Sequence, residues 1–328
     1  MNLARENQTG HWIVLNRPVS LINRGRPVQI NRATSLQPCL DETYLMSQPQ
    51  GYRPDSQRMM LRKITKFIAN ALQISGSTLY GNVLLQQVDQ FCTVSNPIDP
   101  DKVLKFRAGH ERLYWRIKKT PLLEVDTNRW IANFNRDDVF IDIGSNIGLY
   151  SLMAAQTVGT TVLSFEMDPL NYALQHENIF LNNLQDRVML FPFALTKTVG
   201  QFDVYFKSIS PGDALHSLHA PSPYIATENL DNVMKSKAIG ISLDFLYSHV
   251  KLPAPTHLKL DVDGNELAIL EGSVNTLCGV KSIMIEVSPH SEAAVAAFMS
   301  ELGFRQHHLF ATPSVSRSDL SYNCLYVK

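Results

Sequence analysis

The run Asp142-Ile143-Gly144-Ser145-Asn146-Ile147-Gly148 sets a carboxylate and two glycines where a short apolar stretch gives way to a helical pattern. Glycine at such a turn lets backbone approach a ligand closely, and the first turn of the helix offers backbone amides without partners. Glu166 closes the next apolar stretch 22 residues after Gly144, near the spacing of about 20 at which a carboxylate takes the hydroxyls of a ribose. The two features together describe a nucleotide-like ligand. The order Gly-x-Asn-x-Gly departs from the G-x-G-x-x-G turn that seats a pyrophosphate. Asp142 would repel a pyrophosphate and suits a ligand carrying an ammonium or another cation.

A second cluster, Asp261, Asp263 and Glu266, falls where a later apolar stretch ends and a helical pattern begins. Open α/β folds bind ligands at this edge of the sheet. Asp261 is the first choice there for orienting or deprotonating an acceptor. Asp263 and Glu266 are equally well explained as negative charges at a helix N-terminus, worth about 0.3–1 kcal/mol. With Glu286 they offer oxygen atoms of the kind that hold Mg²⁺, but three carboxylates at a sheet edge are not diagnostic, and no residue is assigned to a metal. His216 and His219 lie in a loop rich in Ser, Pro and Gly, where a histidine titrating near neutrality is a candidate base.

Positioning these groups takes alternating strands and helices, and from about Asp137 the pattern supplies them. Val139 to Ile143 reads as a strand and Leu149 to Ala155 as a helix. Thr161 to Phe165 reads as a second strand, followed by a helix capped by Asp168 and opened by Pro169. Val188 to Phe191 is a third strand. Phe202, Val204 and Phe206 then alternate with polar residues, a departure from simple βα repetition. His257 to Val262 and Ser282 to Val287 are further strands, with one helix between them carrying Leu267, Leu270, Val274 and Leu277. Ser291 opens a helix that stops at Gly303, and Gln306 to Phe310 with Tyr322 to Val327 reads as two antiparallel strands. This is a doubly wound α/β fold. Upstream, Met60 to Leu72 and Leu79 to Cys92 read as amphipathic helices and Glu111 to Lys119 as a third. Residues 1–60 hold seven arginines, four acids and no lysine; they read as disordered or loosely attached, with some likeness to a transit peptide that Pro18 and Pro27 oppose. The domain reading is thus 1–60 loosely attached, 61–110 a helical lead-in, and 111–328 the catalytic domain.

Thirty basic residues balance thirty acidic ones in the 328-residue chain, which leaves no overall positive field to recruit nucleic acid. Cys39, Cys92, Cys278 and Cys324 show no metal-ligand spacing, so a reducing cytoplasm is the default compartment. No apolar run is long enough to span a membrane. Tyr247 and Lys251 spell the Tyr-x-x-x-Lys pair of short-chain dehydrogenases, but Pro253 and Pro255 end any helix that would align them.

Asp142-Ile-Gly-Ser-Asn-Ile-Gly-Leu-Tyr-Ser151, Phe165-Glu166, Asn178-Ile-Phe-Leu-Asn182, Ala214-Leu-His-Ser-Leu218, Ile241-Ser-Leu-Asp244 and His257-Leu-Lys-Leu-Asp261-Val-Asp-Gly264 resemble, in order, the successive blocks of the FkbM-type methyltransferases. The resemblance covers about 137 to 287. It implies a class I methyltransferase sheet, mostly parallel with an antiparallel last strand, preceded here by a helical N-terminal extension. It further implies bound S-adenosylmethionine and methylation of a hydroxyl on a sugar, glycan or polyketide-type product. Carried over, Asp142, Gly144, Ser145, Asn146 and Gly148 would hold the methionine portion and Glu166 the ribose. Met167, Phe193 and Ala194 would border the adenine, with Asn182 a weaker candidate. Asp261 would be catalytic, and His216 joins it because it falls inside the Ala-Leu-His-Ser-Leu block. The alternatives are an NAD-dependent sugar dehydrogenase and a binding module that keeps the fold without turnover. The N-terminal helical segment could serve acceptor binding or a homodimer.

Overall fold

Alternation along one strand decides the centre of the fold. In Val139–Ile143, Val139, Ile141 and Ile143 join one apolar cluster while Phe140 joins another, because successive strand residues face opposite sides of a sheet. Both faces are covered, as a parallel sheet requires.

The computed structural model describes residues 5–6, 12–13, 67, 91–109, 111–214, 216–218, 233–307 and 321–328. The chain divides into two units, Met1–Asp55 and Ser56–Lys328. Among the described residues of the first, β1 (Arg5–Glu6) and β2 (Trp12–Ile13) pair antiparallel, Arg5 opposite Ile13. The expectation of loose attachment for the rest of 1–60, and the helix expected over 60–72 apart from helical Phe67, lie outside the described residues.

Past Phe67, the described residues of the second unit open with β3 (Phe91–Ser95) and β4 (Val103–Arg107), an antiparallel hairpin. This corrects the reading of 61–110 as a helical lead-in over Phe91–Arg107, and the expected helix over Leu79 to Cys92 at its last two residues; residues 79–90 are outside the described residues. The cause lies in the residues themselves. Leu104 and Phe106 alternate with exposed neighbours and are fully buried, and the Asn96–Lys102 turn closes through Asn96 N–H to Lys102 O at 2.8 Å. Helices α1 (Glu111–Leu123) and α2 (Val125–Ala132) follow, so the helix expected from Glu111 forms.

Then come β5 (Val139–Ile143), α3 (Leu149–Thr157), β6 (Thr161–Phe165), α4 (Pro169–Leu181) and β7 (Val188–Phe191). Asp168 caps α4 as its sequence announces, its carboxylate accepting from Leu170 N–H at 2.7 Å and Asn171 N–H at 3.1 Å. Next, β8 (Ala194–Leu195), β9 (Gly200–Phe206), β10 (Ser217–Leu218) and β11 (Met234–Ile241) form a separate four-stranded sheet in the order β10-β9-β11-β8. This is the departure from βα repetition seen in the sequence. The chain continues through α5 (Leu243–His249), β12 (His257–Leu260), α6 (Glu266–Glu271), α7 (Val274–Leu277), β13 (Ser282–Val287), α8 (Glu292–Glu301), β14 (Arg305–Gln306) and β15 (Tyr322–Val327). The single helix expected between β12 and β13 is two, because the chain turns at Gly272, which packs against the Thr196 carbonyl with no room for a side chain.

The main sheet runs β14-β15-β13-β12-β5-β6-β7. Strands β7, β6, β5, β12 and β13 are mutually parallel, and β15 runs antiparallel to both its neighbours. The connection reverses direction between β5 and β12, so their carboxyl ends flank the crevice where such sheets take ligands. At the opposite edge, Trp130 Nε1 donates to Ser282 Oγ at 2.8 Å, and His257 lies 2.7 Å from the same oxygen and stacks on Phe134 at 4.0 Å. This cluster fastens α2 under the sheet.

Candidate active site

Gly144 follows β5 at φ 77°, and a Cβ there would overlap the Asp261 carbonyl oxygen at the end of β12. Only glycine lets the two strand ends approach this closely. Asn146 stands at φ 51° where a third glycine would be conformationally easier; asparagine tolerates the left-handed region because its side chain bonds locally. Its Oδ1 accepts from Ile147 N–H at 3.0 Å and its Nδ2 donates to Asp213 O at 2.7 Å. Gly148 is left-handed at φ 84° and precedes α3.

Below the turn a buried polar chain ties the elements together. Ser151 Oγ donates to Asp142 Oδ2 at 2.6 Å and lies 2.8 Å from Ser164 Oγ. Gln175 Nε2 donates to Ser164 Oγ at 2.6 Å, and Ser145 Oγ donates to Gln175 Oε1 at 2.7 Å. Every group in it has a partner, which makes such a network rigid. Burial pushes the Asp142 carboxyl up to about 6, against the opposing pull of Lys259 and Ser151.

Glu166, at the end of β6, accepts Asn146 N–H at 2.8 Å on one oxygen and Asp168 N–H at 2.7 Å on the other. Burial nevertheless pushes it up to about 7. Beside it, His216 Nε2 lies 3.1 Å from Asp168 Oδ2. Burial lowers the histidine's proton affinity, but Asp168, Glu166 and Asp213 outweigh that and raise it. His216 therefore sits among the carboxylates of the Glu166 end. The loop preceding it is fastened from several directions: Gly212 N–H donates to Asn171 Oδ1 at 2.6 Å, and Arg112 pairs with Asp213.

Asp142, Gly144, Ser145, Asn146, Glu166, Met167, Phe193, Ala194, His216 and Asp261 all line one cavity of about 470 Å³, within the usual size of small-molecule sites. Gly148 shapes the turn from outside the lining. Asn182 is elsewhere: its side chain accepts from Lys105 N–H at 2.9 Å and donates to Lys105 O at 2.7 Å, holding β4 on α4. Tyr247 and Lys251 are also apart from the cavity, and Tyr247 donates to the Pro253 carbonyl at 3.1 Å.

At the far end of the cavity, two groups to which sequence reading gave no catalytic role flank Asp261. Lys259, fully buried on β12, pairs with Asp261 and stands 4.9 Å from the Tyr150 ring centroid. Its ammonium gains proton affinity, because Asp261, Glu124 and Asp142 outweigh the cost of burial. A lysine in the apolar stretch His257-Leu-Lys-Leu was the available signal. Glu286 follows Ile285, which pairs with Leu260, so the next residues of the two strands, Glu286 and Asp261, are side by side. Burial and the Asp261 charge push Glu286 up to about 9. Burial would raise Asp261 as well, but Lys259 and the neutral Glu286 bring it below the usual carboxylate range. One carboxyl of the pair is thus protonated at neutral pH and the other ionised, as closely placed carboxylates require. Asp261 keeps a third of its side chain accessible. Glu266, buried under the loop, is pushed up to about 7 by burial and accepts Gly264 N–H at 3.0 Å, an N-terminal helix role. Among the described residues no group of three His, Cys, Asp or Glu side chains is arranged to hold a metal, and no helix is long and apolar enough to cross a membrane.

A doubly wound sheet with one reversed strand, and a glycine turn and acidic strand end opening on one cavity, define the class I methyltransferase architecture. The chain belongs to the FkbM methyltransferase domain family, whose model matches residues 142–306. Among its relatives, the hexuronic acid methyltransferase AglP of Haloferax volcanii is 26% identical over 175 residues, 53% of this chain and 65% of that protein. Methyltransferase 1 of Beauveria bassiana is 23% identical over 200 residues, 57% of this chain and 74% of that one. The chain thus spans just under two thirds of the first relative's length. A crystal structure of an FkbM methyltransferase from Methylobacillus flagellatus is 14% identical, with a TM-score of 0.41 over 66% of this chain and 50% of that one.

Proposed function

We propose that this protein transfers a methyl group from S-adenosylmethionine to a hydroxyl oxygen of a sugar or glycan. The observation that carries the reading is that the glycine turn and Glu166 open into the same cavity as the Lys259–Asp261–Glu286 cluster, so one ligand seated on the turn faces an ionised carboxylate. The sugar acceptor is favoured over a polyketide-type product by the relative that acts on a hexuronic acid.

The residues fit the cofactor. Each Glu166 oxygen uses one acceptor site on a backbone amide, which leaves capacity for the two ribose hydroxyls. Met167, Phe193 and Ala194 supply apolar wall where the adenine would lie, and Asp142 supplies negative charge near the methionyl end. Gly144, Ser145, Asn146 and Gly148 shape the turn that would receive it. When bound, the cofactor supplies a methyl group on a sulfonium. Asp261, held ionised by Lys259, accepts a hydrogen bond from the acceptor hydroxyl and aligns its oxygen. With the cofactor bound, its methyl group would go to the acceptor oxygen and its thioether would leave, and Asp261 would take up the hydroxyl proton. Its accessible edge then returns the proton to solvent. His216, considered as a base from sequence, is assigned instead to holding its loop against Asp168.

The test is transfer of labelled methyl groups to a panel of neutral and acidic sugars. Asp261→Asn is expected to bind S-adenosylhomocysteine within about twofold of the parent and to lose transfer by roughly a hundredfold or more, the scale of general-base catalysis. Unchanged turnover would remove Asp261 from the mechanism.

A further inference from the structure

The cavity wall is mostly negative, and its positive groups among the described residues are Arg116, His216 and Lys259. Two of these are committed. Lys259 is buried against Asp261, and His216 lies on Asp168. Arg116 differs. It is half-buried on α1, and it lines the cavity together with Thr120 one turn further on. Its charge reaches Asp261 through space, yet its guanidinium makes no hydrogen bond or ion pair among the described residues.

An uncommitted planar guanidinium on a mostly acidic wall is matched to an oxyanion, and of these the methyltransferase reading supplies carboxylates. It takes a carboxylate through two parallel hydrogen bonds, with geometry that an ammonium cannot reproduce. An anion placed elsewhere along this wall would meet Glu124, Asp261 or Asp263 and be repelled. Neutralising Asp261 does not account for Arg116, since Lys259 is already in direct contact with that carboxylate.

We infer that Arg116 is the carboxylate-binding residue of this cavity. The assignment rests on the methyltransferase reading, within which a carboxylate has two sources: the amino-acid end of the cofactor, or an acidic sugar acceptor. Both present the same planar anion to the guanidinium.

Calorimetric titrations with two ligand pairs separate the sources. The first compares S-adenosylhomocysteine with its decarboxylated analogue, which keeps the amine. The second compares methyl glucuronide with methyl glucoside on protein saturated with S-adenosylhomocysteine. In the parent, one pair is expected to show a preference for the carboxylate of roughly ten- to a hundredfold, the scale of a charge-assisted bidentate contact. Arg116→Gln is expected to abolish that preference while the ligand lacking the carboxylate binds as before. Loss in the first pair assigns Arg116 to the cofactor, and loss in the second assigns it to the acceptor. A parent without preference in either pair, or a preference that survives Arg116→Gln, overturns the assignment. Failure of the parent to bind S-adenosylhomocysteine at all is a different result: it removes the methyltransferase reading and the assignment with it.

Discussion

Asp261 and Glu286 have the same chemistry and opposite protonation because their surroundings differ. Lys259 touches Asp261 directly, while Glu286 has burial and a neighbouring negative charge to contend with. Glu286 is neutral below about pH 9, so of the two carboxyls only Asp261 carries charge. Above that pH a second carboxylate appears beside the first and repels it. Methyl transfer is therefore expected to decline as the pH passes about 9, and Glu286→Gln, which stays neutral, is expected to remove the decline. A pH–rate profile unchanged in Glu286→Gln would contradict this account of the pair. At this scale the sequence was legible where partners are close along the chain: Asp142, Gly144 and Glu166 stand out by local spacing alone. Lys259 and Arg116 did not, and Glu286 drew notice only as a candidate metal ligand, because their placement beside Asp261 arises from strand register and from a helix that lines the cavity. His216 drew notice as a base, and its tie to Asp168 depends on a loop path that no local pattern reveals.

Among the elements, the turn between β5 and α3 depends on one residue more than any other. Gly144 is left-handed and lies against the end of β12. Gly144→Ala is expected to destabilise the fold by about 2 kcal/mol or more, from backbone strain and overpacking together; a chemical-denaturation midpoint equal to the parent's would show that the strand ends can separate freely. The main-sheet strands β5, β6, β7, β12 and β13 with α3 and α4 were readable because apolar period, glycine turns and the Asp168–Pro169 helix start all agree locally; β11 and α5, which lie between them, were not read. The hairpin β3–β4 was not read either, although Leu104 and Phe106 alternate with exposed neighbours. Its edge is satisfied by Asn178 and Asn182 from α4, which take the Arg107 N–H at 2.8 Å and the Lys105 N–H at 2.9 Å. The break between α6 and α7 was equally hidden, because it is set by the Thr196 carbonyl pressing on Gly272, a contact remote in sequence.

For the molecule as a whole, the cluster of buried acids makes stability depend on pH. Asp142 holds its proton up to about 6, Glu166 and Glu266 up to about 7, and Glu286 up to about 9, whereas an unfolded chain releases carboxyl protons near 4. Between those limits the folded state binds more protons than the unfolded one, so stability falls as pH rises. The raised proton affinity of His216 acts in the same direction and the lowered affinity of His257 against it; among the described residues the four acids outweigh His257 in this range. The melting temperature of the ligand-free protein is expected to fall between pH 5 and pH 8, and a rise would contradict the burial of these groups. The central claim, that the glycine turn and Glu166 seat a methyl-donor nucleoside, is tested most directly by calorimetric titration of the parent and Glu166→Ala with S-adenosylhomocysteine and with NAD. Micromolar binding of S-adenosylhomocysteine that Glu166→Ala abolishes is the expected result. Binding of NAD alone, or S-adenosylhomocysteine binding indifferent to Glu166, would contradict it.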